Sequence, residues 1–506
     1  MLPHYILLFS VIFTGFSSCS KILFLSQIPT RSHYILASKL VNEMAKKGHE
    51  VTFITPYPNT TQVKNINQIH VEGFESFYSP ETARVSISKK EDGNPIQKAI
   101  DITHIHYLFT EFLISHDKIQ NLLKSQQHFD VVILYYYFND ALLALAHHFK
   151  APVVLFASMP LYVSESFLLS HPAPSSYVPN IILKHTGHMD FWQRLETSFY
   201  DICMILYYQW TILPKQQKLV ENFIPGKPDL YKILNNESLI LINSHVSVNE
   251  AVPMVPNAIE IGGFHIEDPK PLPYDLQKFL DDSPNGVIIF SMGSILRSVN
   301  FPEEKRKACV DTFAKLKLNV LWKFEENIVE LPSNVKIMDW IPVSDVLAHP
   351  NVKIFLTHGG LLSTMEAVYH GVPLVGIPIM VDQKMNMALA VSNEYGIEVP
   401  YKELTENSLT QALDQVLNNP KYKKNIDRRS KIMRDRPLKP VDSALYWIEY
   451  VIRHQGAPHL RYPGADLNWF QRNLLDVVAF VILFSIFGTI IIVRLIVRNN
   501  VKHKTE

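Results

Sequence analysis

A strand that runs into two glycines and straight on into a helix limits this chain more than any other feature. Residues 355–386 read FLTHGGLLSTMEAVYHGVPLVGIPIMVDQKMN. The apolar run 352–356 leads into Thr357-His358-Gly359-Gly360, and a helix begins at once. Paired glycines let the backbone approach a ligand closely. The helix start offers unpaired N–H groups and the positive end of a dipole, which together hold phosphate without a metal. Ser363 and Glu366, three apart, share a helix face, one suited to a phosphate oxygen and the other to ribose hydroxyls. A lone Gly-Gly before a helix is common and usually structural, so the surroundings decide. Asp382-Gln383 follows a second strand, 373–377. Strand 287–290 runs into Ser291-Met292-Gly293-Ser294, and Trp340 ends a further strand before Ile341-Pro342. Loops at the carboxyl ends of parallel strands are where such sheets bind ligands. The segment reads as a cradle for a nucleoside diphosphate.

The N-terminal half has the same grammar. Residues 21–25 (KILFL) form a strand, a loop with Pro29 and His33 follows, and a helix spans 35–47 up to Gly48. Strands at 51–54, 129–136, 153–156 and 239–243 and a helix at 140–149 continue the alternation, and βαβ units build parallel sheets. Residues 160–235 differ, being rich in aromatics and prolines. They read as helices and loops over an apolar cleft, with a packed core or contact with a membrane surface as the other readings. A proline-bearing connector (244–273) leads to a second α/β region, 274–435, and a closing helix, 440–454. There is no GxGxxG for a dinucleotide, and no Asp-x-Asp, which argues against the metal-dependent sugar-nucleotide transferases. The fold class is α/β, with two facing doubly wound parallel-sheet domains.

With 48 basic against 48 acidic residues, charge gives no support to nucleic-acid binding. Residues 1–20 read as a signal peptide, with an apolar run from Tyr5 to Phe16 and Ser18 and Ser20 before a cut at Lys21. Residues 474–493 are long and apolar enough to span a bilayer. Arg494, Arg498, Lys502 and Lys504 follow, which puts the tail in the cytosol and the body in the lumen. Lys502 and Lys504 also resemble a dilysine retrieval signal of the endoplasmic reticulum. Cys203 and Cys309 fall in different domains, so no disulfide is expected. Asn59 and Asn236 fit the glycan acceptor triplet.

On these motifs the chain resembles the UDP-glycosyltransferase family, over nearly its whole length and best after about residue 260. The tail and the order of segments are similar to the membrane-bound animal branch, and the run FNDALLALAHHF from Phe138 to its invertebrate members. The resemblance implies the GT-B arrangement: 21–245 for the acceptor, 246–273 as linker, 274–455 for the UDP-sugar with the closing helix, 474–493 across the membrane and 494–506 cytosolic. In that family a histidine after β1, as in Ser32-His33, deprotonates the acceptor, and imidazole suits the task. The vertebrate pattern puts an aspartate six residues after Phe129; Tyr135 stands there instead. Asp140 is our choice for the partner of His33, a helix N-cap being its other reading; Asp130 lies at the wrong end of the strand. Trp340 would stack on uracil, although Val343 replaces the glutamine that commonly follows the family's proline. His358, Gly360 and Ser294 would meet the diphosphate, Ser363 a phosphate oxygen, Glu366 the ribose, and Asp382 and Gln383 the sugar hydroxyls.

One displacement then turns an α-linked donor into a β-glycoside. Glucose is the favoured sugar and glucuronate the next, with a small lipophilic hydroxyl compound as acceptor, as in detoxification. The resemblance implies no cofactor or metal beyond the UDP-sugar co-substrate. It also implies a single-pass type I protein of the endoplasmic reticulum membrane and allows a homo-oligomer. Two other readings stand beside it: a non-catalytic UDP-sugar-binding partner subunit, suggested by Tyr135 and Val343, and a transferase acting on lipid or protein.

Overall fold

The computed structural model describes residues 19–58, 63–77, 94–294, 298–326, 331–380 and 382–502. The signal-peptide reading, Asn59 and Lys504 therefore fall outside the described residues, apart from Cys19 and Ser20.

Two parallel sheets organise the chain. The first has strands β1 (Lys21–Leu25), β2 (Glu50–Thr55), β3 (Ile66–His70), β4 (Val131–Tyr135), β5 (Val153–Ala157), β6 (Leu239–Ile242) and β7 (Ala258–Glu260), in the order β3-β2-β1-β4-β5-β6-β7. The second has β8 (Val287–Ser291), β9 (Asn319–Lys323), β10 (Val335–Met338), β11 (Val352–Thr357), β12 (Leu374–Gly376) and β13 (Gly396–Glu398), in the order β10-β9-β8-β11-β12-β13. The central strands β4, β5 and β8 are buried at every residue. Helices cover both faces of each sheet, so these strands read as unbroken apolar runs rather than alternating ones.

Strand order reverses between β1 and β4 in the first sheet and between β8 and β11 in the second. Such switch points open a crevice outside the carboxyl ends of the strands. His33 follows β1, and His358 follows β11. Topology thus puts the two histidines at the switch point of each lobe.

Three sequence expectations need correction. Residues 258–260, taken as linker, pair with Ile240–Ile242 as the seventh strand of the first sheet. The helix after β1 spans Arg31–Lys46, so His33 lies in its first turn and not in a loop. The closing helix, Pro440–Arg453, buries Ala444, Leu445, Ile448 and Val451 in the core of the first lobe, against the Arg31–Lys46 helix and β6. The chain builds the second lobe and then crosses back to the first. At about 1.5–3 kcal/mol for each large apolar side chain buried, this helix fastens the lobes together. Beyond it, Leu475–Arg498 is long and apolar enough to cross a membrane, with a mean hydropathy of 2.7 and none of it buried.

Candidate active site

The first turn of the Arg31–Lys46 helix sets the geometry of His33. Thr30 occupies the N-cap position, yet its side chain caps no backbone amide. Its hydroxyl lies 2.5 Å from His33 Nδ1, with Ser32 Oγ at 3.3 Å. Thr-x-x-His here takes the spacing of a capping box, with imidazole in place of the usual carboxylate. Burial in the cleft pulls His33 down to about 4, so the ring is neutral at physiological pH.

Asp140 is not its partner. The Asp140 carboxylate accepts the Tyr136 hydroxyl at 2.7 Å and the Tyr208 hydroxyl at 2.5 Å, and it makes no hydrogen bond to His33. It is no helix cap either, because Asn139 holds that position before a short 3-10 turn, Asp140–Leu142. Asp140 is fully buried and ties β4's exit to the Tyr208 segment. The position beside His33 belongs to Tyr135, at the carboxyl end of β4. The two rings lie 5.5 Å apart, tilted by 50°, and burial raises the Tyr135 hydroxyl well above its usual value. The chain has a phenol, not a carboxylate, at that corner.

In the second lobe, glycines shape the His358 turn. A Cβ on Gly360 would come within 2.6 Å of His358 Nε2, and one on Gly293, at φ +81°, within 2.7 Å of His358 Cε1. The imidazole fills the space that two side chains would need. Burial, with help from the Lys323 charge, lowers His358 to about 4. The helix Leu361–His370 starts directly behind it. Its Leu361 amide donates to Asp382 Oδ2 at 3.3 Å; among the described residues, the Leu362 and Ser363 amides have no such partner. Asp382 also accepts Asn386 Nδ2 at 2.7 Å. Gln383 Oε1 accepts the Ile379 and Met380 amides at 2.9 and 3.0 Å, which leaves its amide hydrogens to face the cavity. Ser363 Oγ donates to the Gly360 carbonyl at 3.2 Å.

Glu366 is pushed up to about 8 by burial, with Asp345 adding to the effect. His265 Nε2 stands 3.9 Å from its carboxylate, and burial lowers His265 to about 4. Trp340 is flanked by cations: the Arg31 guanidinium, from the other lobe, lies 3.7 Å above its ring, and Lys323 Nζ 5.8 Å away. Lys323 is itself nearly buried and paired with Glu325 at 2.8 Å.

One cavity of about 460 Å³ joins these groups. His33, Ser294, Trp340, His358, Gly360, Ser363, Glu366, Asp382 and Gln383 all line it; Asp140 does not. Residues 160–235 contribute nothing to its wall; Leu161, Pro172, Val178 and Ile181 line a separate, smaller cavity of about 50 Å³. Ile102, Ile105 and His106, from the helix Pro95–Ser115, line the larger one. Sequence reasoning missed Thr30, Arg31, His106, His265 and Lys323. The Thr-x-x-His spacing and the place of Lys323 at the end of β9 were usable signals. His106 and His265 carry none.

The family profile described as UDP-glucoronosyl and UDP-glucosyl transferase matches residues 21–506. The chain belongs to that family. It is 34% identical to UDP-glycosyltransferase UGT5 of Dactylopius coccus, with 99% of this chain and 95% of that protein aligned. It is 31% identical to human UDP-glucuronosyltransferase 2B7 over 89% of this chain and 88% of the relative. Among solved structures it resembles the calicheamicin glycosyltransferase CalG4 (TM-score 0.59, 17% identity, 86% of this chain, 99% of that one). It also resembles a UDP-glucose:anthocyanidin 3-O-glucosyltransferase in complex with UDP (TM-score 0.56, 17% identity, 86% and 99%). These neighbours show the GT-B fold. The enzyme is a UDP-glycosyltransferase, which transfers a sugar from a UDP-sugar to an acceptor. Its relatives and its apolar C-terminal helix fit a membrane-anchored protein.

Proposed function

We propose that this enzyme transfers glucose, or in second place glucuronate, from the UDP-sugar to a hydroxyl of a small lipophilic acceptor, with inversion and with His33 as general base. The observation that carries the reading is the shared cavity, with His33 on one wall and the His358 turn on the other. With Nδ1–H donating to Thr30 Oγ1, the lone pair lies on His33 Nε2. It takes the acceptor proton as the acceptor oxygen attacks C1, the C1–O bond to the diphosphate breaks, and UDP leaves with the electron pair. An α-linked donor gives a β-glycoside. A positioned base of this kind is worth about 10²–10⁴-fold.

The leaving diphosphate is stabilised by the His358 N–H and the free amides of Leu362 and Ser363, electrostatics that act where charge develops. Trp340 stacks on uracil, Glu366 accepts from the ribose hydroxyls, and Asp382 and Gln383 hold the sugar; Ser294 completes the phosphate side. Apolar Ile102 and Ile105 favour a lipophilic acceptor over a polar one. The basic residues in the last turns of the apolar helix, Arg494 and Arg498, support a lumenal body in the endoplasmic reticulum membrane.

Expressed membranes given UDP-glucose, UDP-glucuronate and other UDP-sugars with mixed phenols and alcohols should form hexosides, read by mass. A second reading, a UDP-sugar-binding subunit without turnover, draws on Tyr135 standing beside His33. Tight UDP binding with no product from any donor would favour it.

A further inference from the structure

The helix Pro95–Ser115 gives the cavity three residues, Ile102, Ile105 and His106. Positions three and four apart share a helix face, so this face presents two apolar side chains and one imidazole. His106 is only 8% exposed. The rings of Tyr137, Phe109 and Phe138 pack on it, with centroids 4.3, 5.3 and 6.2 Å away. Isoleucine or phenylalanine would fill such a place without burying a polar atom. Buried side-chain polar atoms nearly always have a hydrogen-bond partner, yet His106 Nδ1 has none among the described residues. Nε2 is the ring nitrogen left for a molecule in the cavity.

His106 also stands in a defined relation to His33. Both imidazoles pack edge-on to the Tyr137 ring, His106 at 4.3 Å and 65°, His33 at 6.4 Å and 70°. The Tyr137 hydroxyl is paired with that of Tyr162 at 2.8 Å, so Tyr137 gives the cavity an aromatic wall. The acceptor end therefore carries two imidazoles with Tyr137, Ile102 and Ile105 about them. Burial, with the charge of His33 adding to it, keeps His106 well below its ordinary value. A neutral imidazole offers a hydrogen bond and no charge, and donates or accepts according to its tautomer. That suits a hydroxyl and does not suit a carboxylate.

We propose that His106 is a second anchor for the acceptor: it hydrogen-bonds a hydroxyl other than the one that reacts at His33, so the enzyme selects aromatic acceptors that carry two hydroxyls. The proposal rests on the reading of His33 as the base. The flat nucleus of such an acceptor lies against Tyr137 and the isoleucines, and one oxygen faces each imidazole. An analogue without the second hydroxyl leaves His106 unpaired, and a site built to bond a hydroxyl discriminates against such an analogue.

The test compares hydroquinone, resorcinol and catechol with their monomethyl ethers, using the full chain in membranes and the donor that gives most product. The quantity read is the diphenol-to-ether ratio of kcat/KM in the wild type and in His106→Phe and His106→Gln. Differences in acidity and in the number of reactive hydroxyls cancel when wild type and variant are compared, as in a double-mutant cycle. For the isomer whose oxygens match the two imidazoles, His106→Phe should lower the ratio about tenfold. His106→Gln, which keeps a hydrogen-bonding side chain, should restore part of it and covers the case in which phenylalanine does not fit. An unchanged ratio for all three isomers in both variants would make His106 a packing residue and overturn the proposal. Turnover of the ethers reports on His33 and the transfer itself, so the failure of that reading and the failure of this one are told apart. Dissociation constants for the same pairs, measured with UDP bound, give the ratio where turnover is slow.

Discussion

Thr30 has one hydroxyl and two possible uses for it. As an N-cap it would accept a backbone amide, worth about 1 kcal/mol to the helix; instead it meets His33 Nδ1. That choice fixes the ring without any carboxylate. It also leaves His33 in a desolvated cleft near 4. A base works unprotonated, so kcat/KM should stay level from pH 8 down to about 5 and bend only below. A bend near 6.5, with the fold intact by circular dichroism, would contradict this placement of His33. Asp140, by contrast, accepts two phenols inside the lobe. Asp140→Asn turns one of those contacts into donor against donor, at about 1–3 kcal/mol. The melting temperature should drop by several degrees while the pH profile of turnover keeps its shape. The sequence offered Asp140 because a carboxylate was needed and one lay nearby. It could not reveal that Tyr136 and Tyr208, the latter far along the chain, would claim both oxygens.

At the scale of elements, the strand-to-helix turn at His358 was legible because its requirements are local: an apolar strand, two glycines and a helix start. What was not legible is that Gly293, from a different strand, and Gly360 make room for the same imidazole. Gly360 has φ −63°, so alanine there is strained only by the His358 ring. Gly360→Ala should therefore weaken UDP binding at least about tenfold, about 1.4 kcal/mol, with an unchanged melting temperature. Titration calorimetry reads it; unaltered affinity would remove His358 from the phosphate side. β7 escaped notice because a three-residue strand, Ala258–Glu260, has no periodicity to detect. The helix start at Arg31 escaped because Arg31-Ser32-His33 is polar, and only apolar spacing had drawn its boundary.

For the whole molecule, order of elements predicted the two-lobed plan, since alternating strands and helices leave few other solutions. The closing helix shows the limit. Its amphipathic pattern announces an apolar face but not which core receives it, and the core is that of the first lobe. Leu445→Ala should cost about 2–5 kcal/mol and speed hydrogen exchange in β1 and β6, more than 190 residues earlier, before it affects β11. Faster exchange confined to the second lobe would contradict the crossing. The aromatic region 160–235 shows the same limit from the other side: composition marked it as unusual, but only burial separates the face that packs from the face that is open.

The central claim is that His33 and the His358 turn work across one cleft, the first on the acceptor proton and the second on the diphosphate. His33→Gln tests it most directly, with UDP affinity and turnover measured on the same preparation. The account predicts unchanged UDP affinity and a loss of about 10²–10⁴-fold in turnover. Retained turnover, or UDP binding lost together with it, would contradict it.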